Sequence, residues 1–167
     1  MPTIHLVRQT PASPAAVWAQ LTDFGAHGRW MPLTTMRLDE GSPRLGWSFA
    51  GVTGVGPLQF RDPMVVTGWR PPSDARAAGS DTPVNHVAEL RLVKTGRLLG
   101  GSVRVTIEED GGGSRVVWHE ELTIRPLPAR RLTAPLVAGA ARWLYARALD
   151  GMLGQATSAA THRAGAR

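Results

Sequence analysis

The chain has 167 residues, of which 43% are hydrophobic and 19% charged, a composition that predicts one globular domain over residues 1–167 and excludes a disordered chain. It contains no cysteine, which excludes disulfides, thiolate metal ligands and thiol catalysis, and is typical of a reducing cytoplasm. The net charge of +6 lies entirely in residues 122–167, which hold seven arginines and one acid, so it argues against a nucleic-acid-binding surface spread over the domain.

The N-terminal segment predicts a strand followed by two short helices. Residues 3–10 are rich in β-branched side chains, and the Pro-Ala-Ser-Pro that follows ends this strand. Ser13 suits the N-cap of a helix and Pro14 its first position. Three apolar residues recur on one face of this helix, namely Val17, Leu21 and Phe24. Residues 24–32 interrupt it and predict a short second helix that ends at Pro32.

From residue 34 to residue 125 the pattern predicts a meander of strands, because no helical period persists. Short glycine-containing turns favour antiparallel hairpins, since a parallel crossover needs about a dozen residues or more. One longer connection, residues 71–85, is polar and rich in proline and glycine, and we expect a flexible loop there. The predicted strands are 34–39, 45–52, 58–70, 86–94, 98–109 and 114–125.

A long amphipathic helix is predicted near the C-terminus. Thr133 suits its N-cap, and Pro135 would then lie in its first turn. Arg142 and Asp150 lie outside its apolar arc, and residues 160–167 are expected to fray. The arc consists of Leu136, Val137, Ala140, Ala141, Leu144, Tyr145, Ala148, Leu149 and Met152.

The sequence shows no targeting segment and no membrane-spanning segment. Its N-terminus lacks the basic start and apolar stretch of a signal peptide. No apolar stretch reaches the ~20 residues that a spanning helix needs. Lys94 is the only lysine among 19 basic residues, a bias typical of a high-GC bacterial genome rather than of DNA contacts. We therefore expect a cytoplasmic location and no nucleic-acid partner.

The order of these elements predicts a hollow interior. A curved antiparallel sheet needs its concave face covered, and the C-terminal helix is the only predicted element long and apolar enough to cover it. The apolar face of this helix is rich in small alanine and glycine residues. The space between helix and sheet therefore need not be filled by side chains.

Four stretches in this order resemble the START/polyketide-cyclase-like (SRPBCC) superfamily over nearly the whole chain. They are ASPAAVWAQLTDF at 12–24, GRWMP at 28–32, GPLQFRDPM at 56–64 and GSRVVWHEE at 113–121. The resemblance implies an α+β helix-grip fold, in which a curved antiparallel sheet of about seven strands wraps around a long C-terminal helix and encloses a cavity. It implies little about a reaction, because members range from lipid carriers to cyclases and co-chaperones.

Period-two alternation brings three titratable residues onto otherwise apolar strand faces. Glu120 shares a face with Trp118 and Leu122, Asp62 lies in a similar row, and His86 lines up with the apolar residues of its strand. A carboxylate facing an apolar cavity has a raised pKa and can act as a general acid or base, so Glu120, Asp62 and His86 are the candidate catalytic residues. The alternative places Glu120 at the rim with an arginine, Asp62 against the backbone and His86 in solvent.

The resemblance to this superfamily implies that seven large side chains form the wall of a ligand site. Tyr145 would offer a hydroxyl group that orients the ligand. The alternative is that these residues fill a solid core. They are Trp47, Phe49, Phe60, Met64, Trp118, Tyr145 and Met152.

Signatures of cofactor and metal sites are missing from the sequence. No Gly-x-Gly-x-x-Gly leads from a predicted strand into a helix, and no Gly-x-Ser-x-Gly occurs. The five histidines include no i, i+4 pair, which argues against a zinc site. We therefore expect neither a cofactor nor a metal.

The sequence leaves three functions open. The first is binding or transport of a small hydrophobic ligand, such as a lipid, a polyketide or an aromatic metabolite, in the internal cavity. The second is a cyclase or dehydratase that uses acid/base residues there. The third is an interaction module whose arginine-bearing helix meets an acidic partner or an anionic membrane. The oligomeric state does not follow from the sequence.

Overall fold

The computed structural model describes the backbone of residues 3–72, 87–124 and 130–165, and in the last helix it describes the side chains of residues 139–159. Within these ranges the chain forms seven strands, two α-helices and one 3₁₀ helix. In chain order they are β1 (Thr3–Thr10), α1 (Pro14–Thr22), the 3₁₀ helix (Phe24–Arg29), β2 (Thr34–Leu38), β3 (Ser48–Val55), β4 (Leu58–Arg70), β5 (Ala88–Thr95), β6 (Leu99–Asp110), β7 (Gly113–Ile124) and α2 (Arg130–Gly165).

The seven strands form one antiparallel sheet in the order β1-β7-β6-β5-β4-β3-β2. Strands β2 to β7 each pair with their neighbour along the chain, and β1 closes the series against β7. The sheet curves around α2, with α1 and the 3₁₀ helix following β1. This arrangement confirms the α+β helix-grip fold predicted from the sequence.

Local interactions define the two short helices where the sequence predicted them. The Ser13 hydroxyl accepts a hydrogen bond from the Ala16 N–H at 3.3 Å, which caps α1, and Pro14 occupies the first helical position. The Asp23 carboxylate accepts a hydrogen bond from the Ala26 N–H at 3.3 Å and so caps the 3₁₀ helix. Phe24, the first residue of that helix, is buried.

Strand β3 begins at Ser48, three residues later than the predicted start at 45. Gly46 has a φ of 82°, a left-handed conformation that favours glycine, and the Trp47 N–H donates to the Arg44 carbonyl at 3.0 Å. These residues therefore form a turn, which delays the strand.

Helix α2 begins at Arg130, three residues before the predicted cap at Thr133. Pro135 therefore lies beyond the first turn, where its missing N–H costs one intrahelical hydrogen bond. The helix continues to Gly165, while the fraying predicted for 160–167 stays a prediction. From residue 73 onward, the predicted loop at 71–85 lies outside the described residues. No helix in the described ranges is both long and apolar enough to cross a membrane.

The packed core lies beneath the C-terminal half of α2. Leu149, Met152 and Leu153 of this helix are buried in the same apolar cluster as residues of α1 and the sheet. Polar contacts with β1 also hold this half of the helix in place. Arg8 Nε lies 2.6 Å from Asp150 Oδ1, and the Thr10 and Thr157 hydroxyls are 3.0 Å apart. The position of α2 on the sheet is therefore held from the C-terminal side of the helix.

Gly151 allows the Trp30 ring to pack directly on α2. A Cβ atom at Gly151 would lie 2.3 Å from Trp30 Cε3, whereas a Cβ atom at Gly154, one turn away, would meet nothing within 4 Å. We predict that Gly151→Ala lowers the free energy of unfolding by about 1–3 kcal/mol, because the ring must move. The matched change Gly154→Ala is expected to stabilise by about 0.5–1 kcal/mol, because alanine favours the helix. Urea unfolding measures both, and equal effects would contradict the packing described.

Candidate functional site

A cavity of about 390 Å³ lies between the inner face of the sheet and α2. Its wall comes from strands β2 to β7, from the segment around His27–Pro32 and from residues 140–145 of α2. Small-molecule sites in proteins have volumes in this range, about 300–1,000 Å³, and are mostly apolar with a few polar groups. The described wall has this character.

Small residues on the helix help to keep the cavity open. The described α2 residues that line it are Ala140, Ala141, Leu144 and Tyr145, so two of the four contribute no more than a methyl group. On β3, Gly51 lines the cavity opposite. The hollow predicted from the small residues of the helix is thus present at this end of the sheet.

Five of the seven side chains predicted as the wall line this cavity, and two do not. The five are Phe49, Phe60, Met64, Trp118 and Tyr145. Trp47 is instead packed in an aromatic cluster, with its ring centroid 5.6 Å from those of Phe24 and Phe49. Met152 is buried in the core beneath α2. Both fit the alternative of core packing, because their apolar surface is covered by other side chains.

A buried lysine joins the two carboxylates that the sequence singled out. Lys94 Nζ lies 2.7 Å from Asp62 Oδ2 and 3.4 Å from Glu120 Oε1. It also donates a hydrogen bond to the Tyr145 hydroxyl at 3.3 Å. Glu120 Oε2 in turn accepts a hydrogen bond from Trp118 Nε1 at 3.1 Å. We call Lys94, Asp62, Glu120 and Tyr145 the polar cluster.

Strand register explains how residues distant in sequence meet in the polar cluster. Lys94 is on β5 and Glu120 on β7, with β6 between them. The β6 residue in register with Lys94 is Gly101, which has no side chain to separate the two groups. On the other side of β5, Met64 of β4 pairs with Lys94, which places Asp62 two residues along the same strand face.

Burial and neighbouring charges have opposing effects on the pKa values of Lys94 and Glu120. Burial alone lowers the pKa of Lys94, but its interactions with Tyr145, Glu120 and Asp62 outweigh that effect and raise the pKa, so the side chain is an ammonium ion. Burial raises the pKa of Glu120, although Lys94 opposes the shift. Burial likewise raises the pKa of Tyr145, which keeps its hydroxyl protonated.

One ammonium ion faces two carboxyl groups in a site withdrawn from water. If both carboxyl groups were ionised, the polar cluster would bear a net negative charge, which is costly in a medium of low dielectric constant. Glu120 is fully buried, whereas the Asp62 side chain is 10% exposed to solvent. Glu120 is therefore the carboxyl group that favours its protonated form.

Of the candidate catalytic residues, the structure brings Asp62 and Glu120 together, and His86 lies outside the described residues. The alternatives foresaw an arginine beside Glu120 and a backbone partner for Asp62. The described partner of both carboxylates is instead Lys94. Whether either group does catalysis stays a prediction.

Lys94 is the site residue that sequence reasoning missed. As the only lysine in the sequence, it fits a bias of genome composition as well as a role in a site. The signal was the alternation in β5, where Ala88, Leu90 and Leu92 are buried and Lys94 is the next residue on that face. A lysine in such a row must find a counter-ion, and the two carboxylates already noted were available.

His27 also lines the cavity, although it was not among the candidates. Its Nε2 lies 3.0 Å from the Leu21 carbonyl oxygen, and burial lowers its pKa. The ring is therefore neutral. Among the described residues no group of three or more metal-ligating side chains is close enough to hold a metal ion.

Comparisons with known proteins agree with this architecture. Residues 1–154 match the family described as polyketide cyclase / dehydrase and lipid transport. No curated protein sequence matches the chain. Three solved structures illustrate the likeness in fold.

TTHA0849 from Thermus thermophilus has a TM-score of 0.70 at 16% identity, with 95% of this chain and 99% of that chain covered. The Zhui aromatase/cyclase from a Streptomyces species has a TM-score of 0.64 at 13% identity, with 92% of each chain covered. A START superfamily protein from Mycobacterium smegmatis has a TM-score of 0.60 at 15% identity, with 92% of this chain and 97% of that chain covered. At these identities the likeness shows the fold alone.

We predict that Glu120→Gln gains stability relative to the wild type as the pH rises. Because the folded-state pKa of Glu120 is raised, the unfolded chain ionises at a lower pH than the folded protein. The wild type therefore loses stability as the pH rises from the ordinary to the raised pKa, whereas glutamine does not ionise. The difference should grow by at most about 1.4 kcal/mol per pH unit.

Urea unfolding over a series of pH values measures this difference. Glu121→Gln is the matched control, because the adjacent Glu121 side chain is 56% exposed and should show no such trend. A pH-independent difference between Glu120→Gln and the wild type would contradict the raised pKa.

Proposed function

Because the chain belongs to the polyketide cyclase / dehydrase and lipid transport family, we propose that it binds a small, largely apolar ligand in the cavity between the sheet and α2. The observation that carries this proposal is the cavity of about 390 Å³, whose mostly apolar wall includes one buried polar cluster. Apolar surface provides the affinity, and a few polar groups orient the ligand.

The apolar and the polar side chains of the wall would contact different parts of a ligand. Phe60 and Met64 of β4 and Trp118 of β7 offer broad apolar surface, which favours a flat or aliphatic body. Tyr145 and Asp62 lie at the same cavity as members of the polar cluster. A ligand with a polar group on an apolar body would therefore bind in one orientation.

Filling the cavity from α2 tests this proposal. Ala141 lines the cavity, and Ala141→Phe would place a ring in the space that the ligand occupies. We expect at least about a tenfold loss of affinity for the neutral fluorescent probe N-phenyl-1-naphthylamine, because overlap removes its contacts with the wall. Titration of the probe fluorescence gives the Kd.

Ala159→Phe is the matched control, since Ala159 is exposed on the same helix and away from the cavity. Its affinity should stay within about threefold of the wild type. Equal affinity in Ala141→Phe and Ala159→Phe would place the probe elsewhere and contradict the proposal.

A second candidate function is acid/base catalysis in the same cavity. The observation that favours it is the buried Glu120 carboxyl group 3.4 Å from Lys94, because burial raises its pKa and a protonated carboxyl group can supply a proton to a ligand carbonyl. One structural neighbour is described as an aromatase/cyclase. Cyclisation of a carbonyl chain requires removal of a proton next to a carbonyl group, and Asp62 is the second carboxyl group available for that step.

Hydrogen–deuterium exchange of a simple ketone tests this second function. We expect the wild type to accelerate exchange of the methyl hydrogens of acetophenone in D₂O, followed by NMR, and Glu120→Gln to remove at least about 90% of that acceleration. Probe affinity should stay within about threefold, because glutamine keeps the shape of the protonated side chain. Equal exchange rates in both proteins would exclude Glu120 from the chemistry.

The interaction module receives no comparable support. Arg142 donates a hydrogen bond to the His5 carbonyl at 3.2 Å, and the Arg147 guanidinium lies 6.0 Å from the Trp143 ring centroid. Both groups are thus engaged with this chain. The observations favour the cavity.

A further inference from the structure

The ammonium and indole donors of the polar cluster are already engaged within it. Lys94 has three N–H groups, and its nitrogen has three oxygen neighbours, on Asp62, Tyr145 and Glu120, at 2.7, 3.3 and 3.4 Å. The indole N–H of Trp118 is donated to Glu120. Within the described part of the wall, a ligand therefore meets a lysine whose charge is already matched.

Two carboxyl oxygens of the polar cluster remain without a hydrogen-bond partner among the described residues. They are Asp62 Oδ1 and Glu120 Oε1, both buried, and both residues line the cavity. Glu120 Oε1 lies 3.4 Å from Lys94 Nζ, and because this carboxyl group favours its protonated form it can carry a hydrogen. Asp62 Oδ1 is therefore the oxygen of the pair that only accepts. A buried acceptor without a partner is unfavourable, and a suitable ligand removes that cost on binding.

The histidine in the wall follows the same pattern. His27 Nε2 faces the Leu21 carbonyl, which can only accept, so Nε2 carries the hydrogen and donates it. The neutral ring then has an acceptor, Nδ1, as its remaining polar atom. The remaining polar atom of His27 is thus an acceptor, as Asp62 Oδ1 is.

We propose that this cavity selects uncharged ligands bearing a hydroxyl donor, such as a phenol or an alcohol, and that Asp62 is the specificity-determining acceptor. The preference rests on the proposed ligand-binding function. The O–H group of the ligand donates to Asp62 Oδ1, while its apolar body contacts the wall. A carboxylate ligand is disfavoured, because Lys94 is already neutralised and a second anion would face Asp62.

Three ligands of one shape and different chemistry test this preference. At about pH 7, 2-naphthol is a neutral donor, 2-methoxynaphthalene is its neutral ether without a donor, and 2-naphthoate is an anion. Calorimetry or tryptophan fluorescence gives the three affinities for the wild type. We expect 2-naphthol to bind at least about tenfold more tightly than the ether and the ether more tightly than the anion.

Asp62→Asn tests the role of the acceptor. Glu120 remains to neutralise Lys94 in this variant, so the fold is expected to persist. The ratio of naphthol to ether affinity should fall to within about threefold, because the carboxylate acceptor is lost. The control Asp110→Asn, at an exposed aspartate of the β6–β7 turn, should keep the ratio of the wild type.

The outcomes separate this preference from the proposed function. Binding of both neutral ligands with equal affinity, or tightest binding of 2-naphthoate, overturns the donor preference and leaves the cavity as a ligand site. Failure of both neutral ligands to bind contradicts the proposed function and the preference with it. If Asp62→Asn does not fold, the ligand series on the wild type still decides between these outcomes.

Discussion

The ion pairs of Lys94 are the constraint on which the rest of the site depends. An ammonium ion between a helix and a sheet is tolerated only with anionic partners, and here Asp62 comes from the adjacent strand β4 and Glu120 from β7, beyond β6. Removing the lysine would leave two buried carboxyl groups without this counter-ion. The interior is therefore a polar cluster surrounded by apolar side chains, with the cavity beside it.

The residues of α2 that pack in the core and those that line the cavity lie in different parts of the helix. The C-terminal half of the helix is buried against α1 and the sheet, and its polar contacts with β1 hold its position. The earlier turns present small residues to the cavity. A cavity in a core costs stability because side chains lack contacts across it, and the dense packing elsewhere offsets that cost.

One feature of the polar cluster serves both of the functions considered. Burial favours the protonated form of Glu120, so the cavity is close to neutral and can accept an uncharged ligand. The same protonated carboxyl, beside an ammonium ion, is the arrangement that a general acid needs.

Alternation, glycine turns and helix caps are local signals, so the residues alone predicted most of the secondary structure, while the helix-grip fold followed from the resemblance to the SRPBCC superfamily. The sequence also placed Asp62 and Glu120 on inward faces of their strands, since period two needs no knowledge of partners.

The partner of these carboxyl groups, Lys94, depends on the tertiary structure. The register of β4 to β7 brings Lys94 close to Asp62 and Glu120, and Gly101 of β6 leaves room between Lys94 and Glu120. Strand pairing joins residues far apart in the chain, so a single sequence does not display it. The tertiary structure likewise decided that Trp47 and Met152 pack in the core rather than at the cavity, because the curvature of the sheet and the depth of the helix determine where the hollow lies.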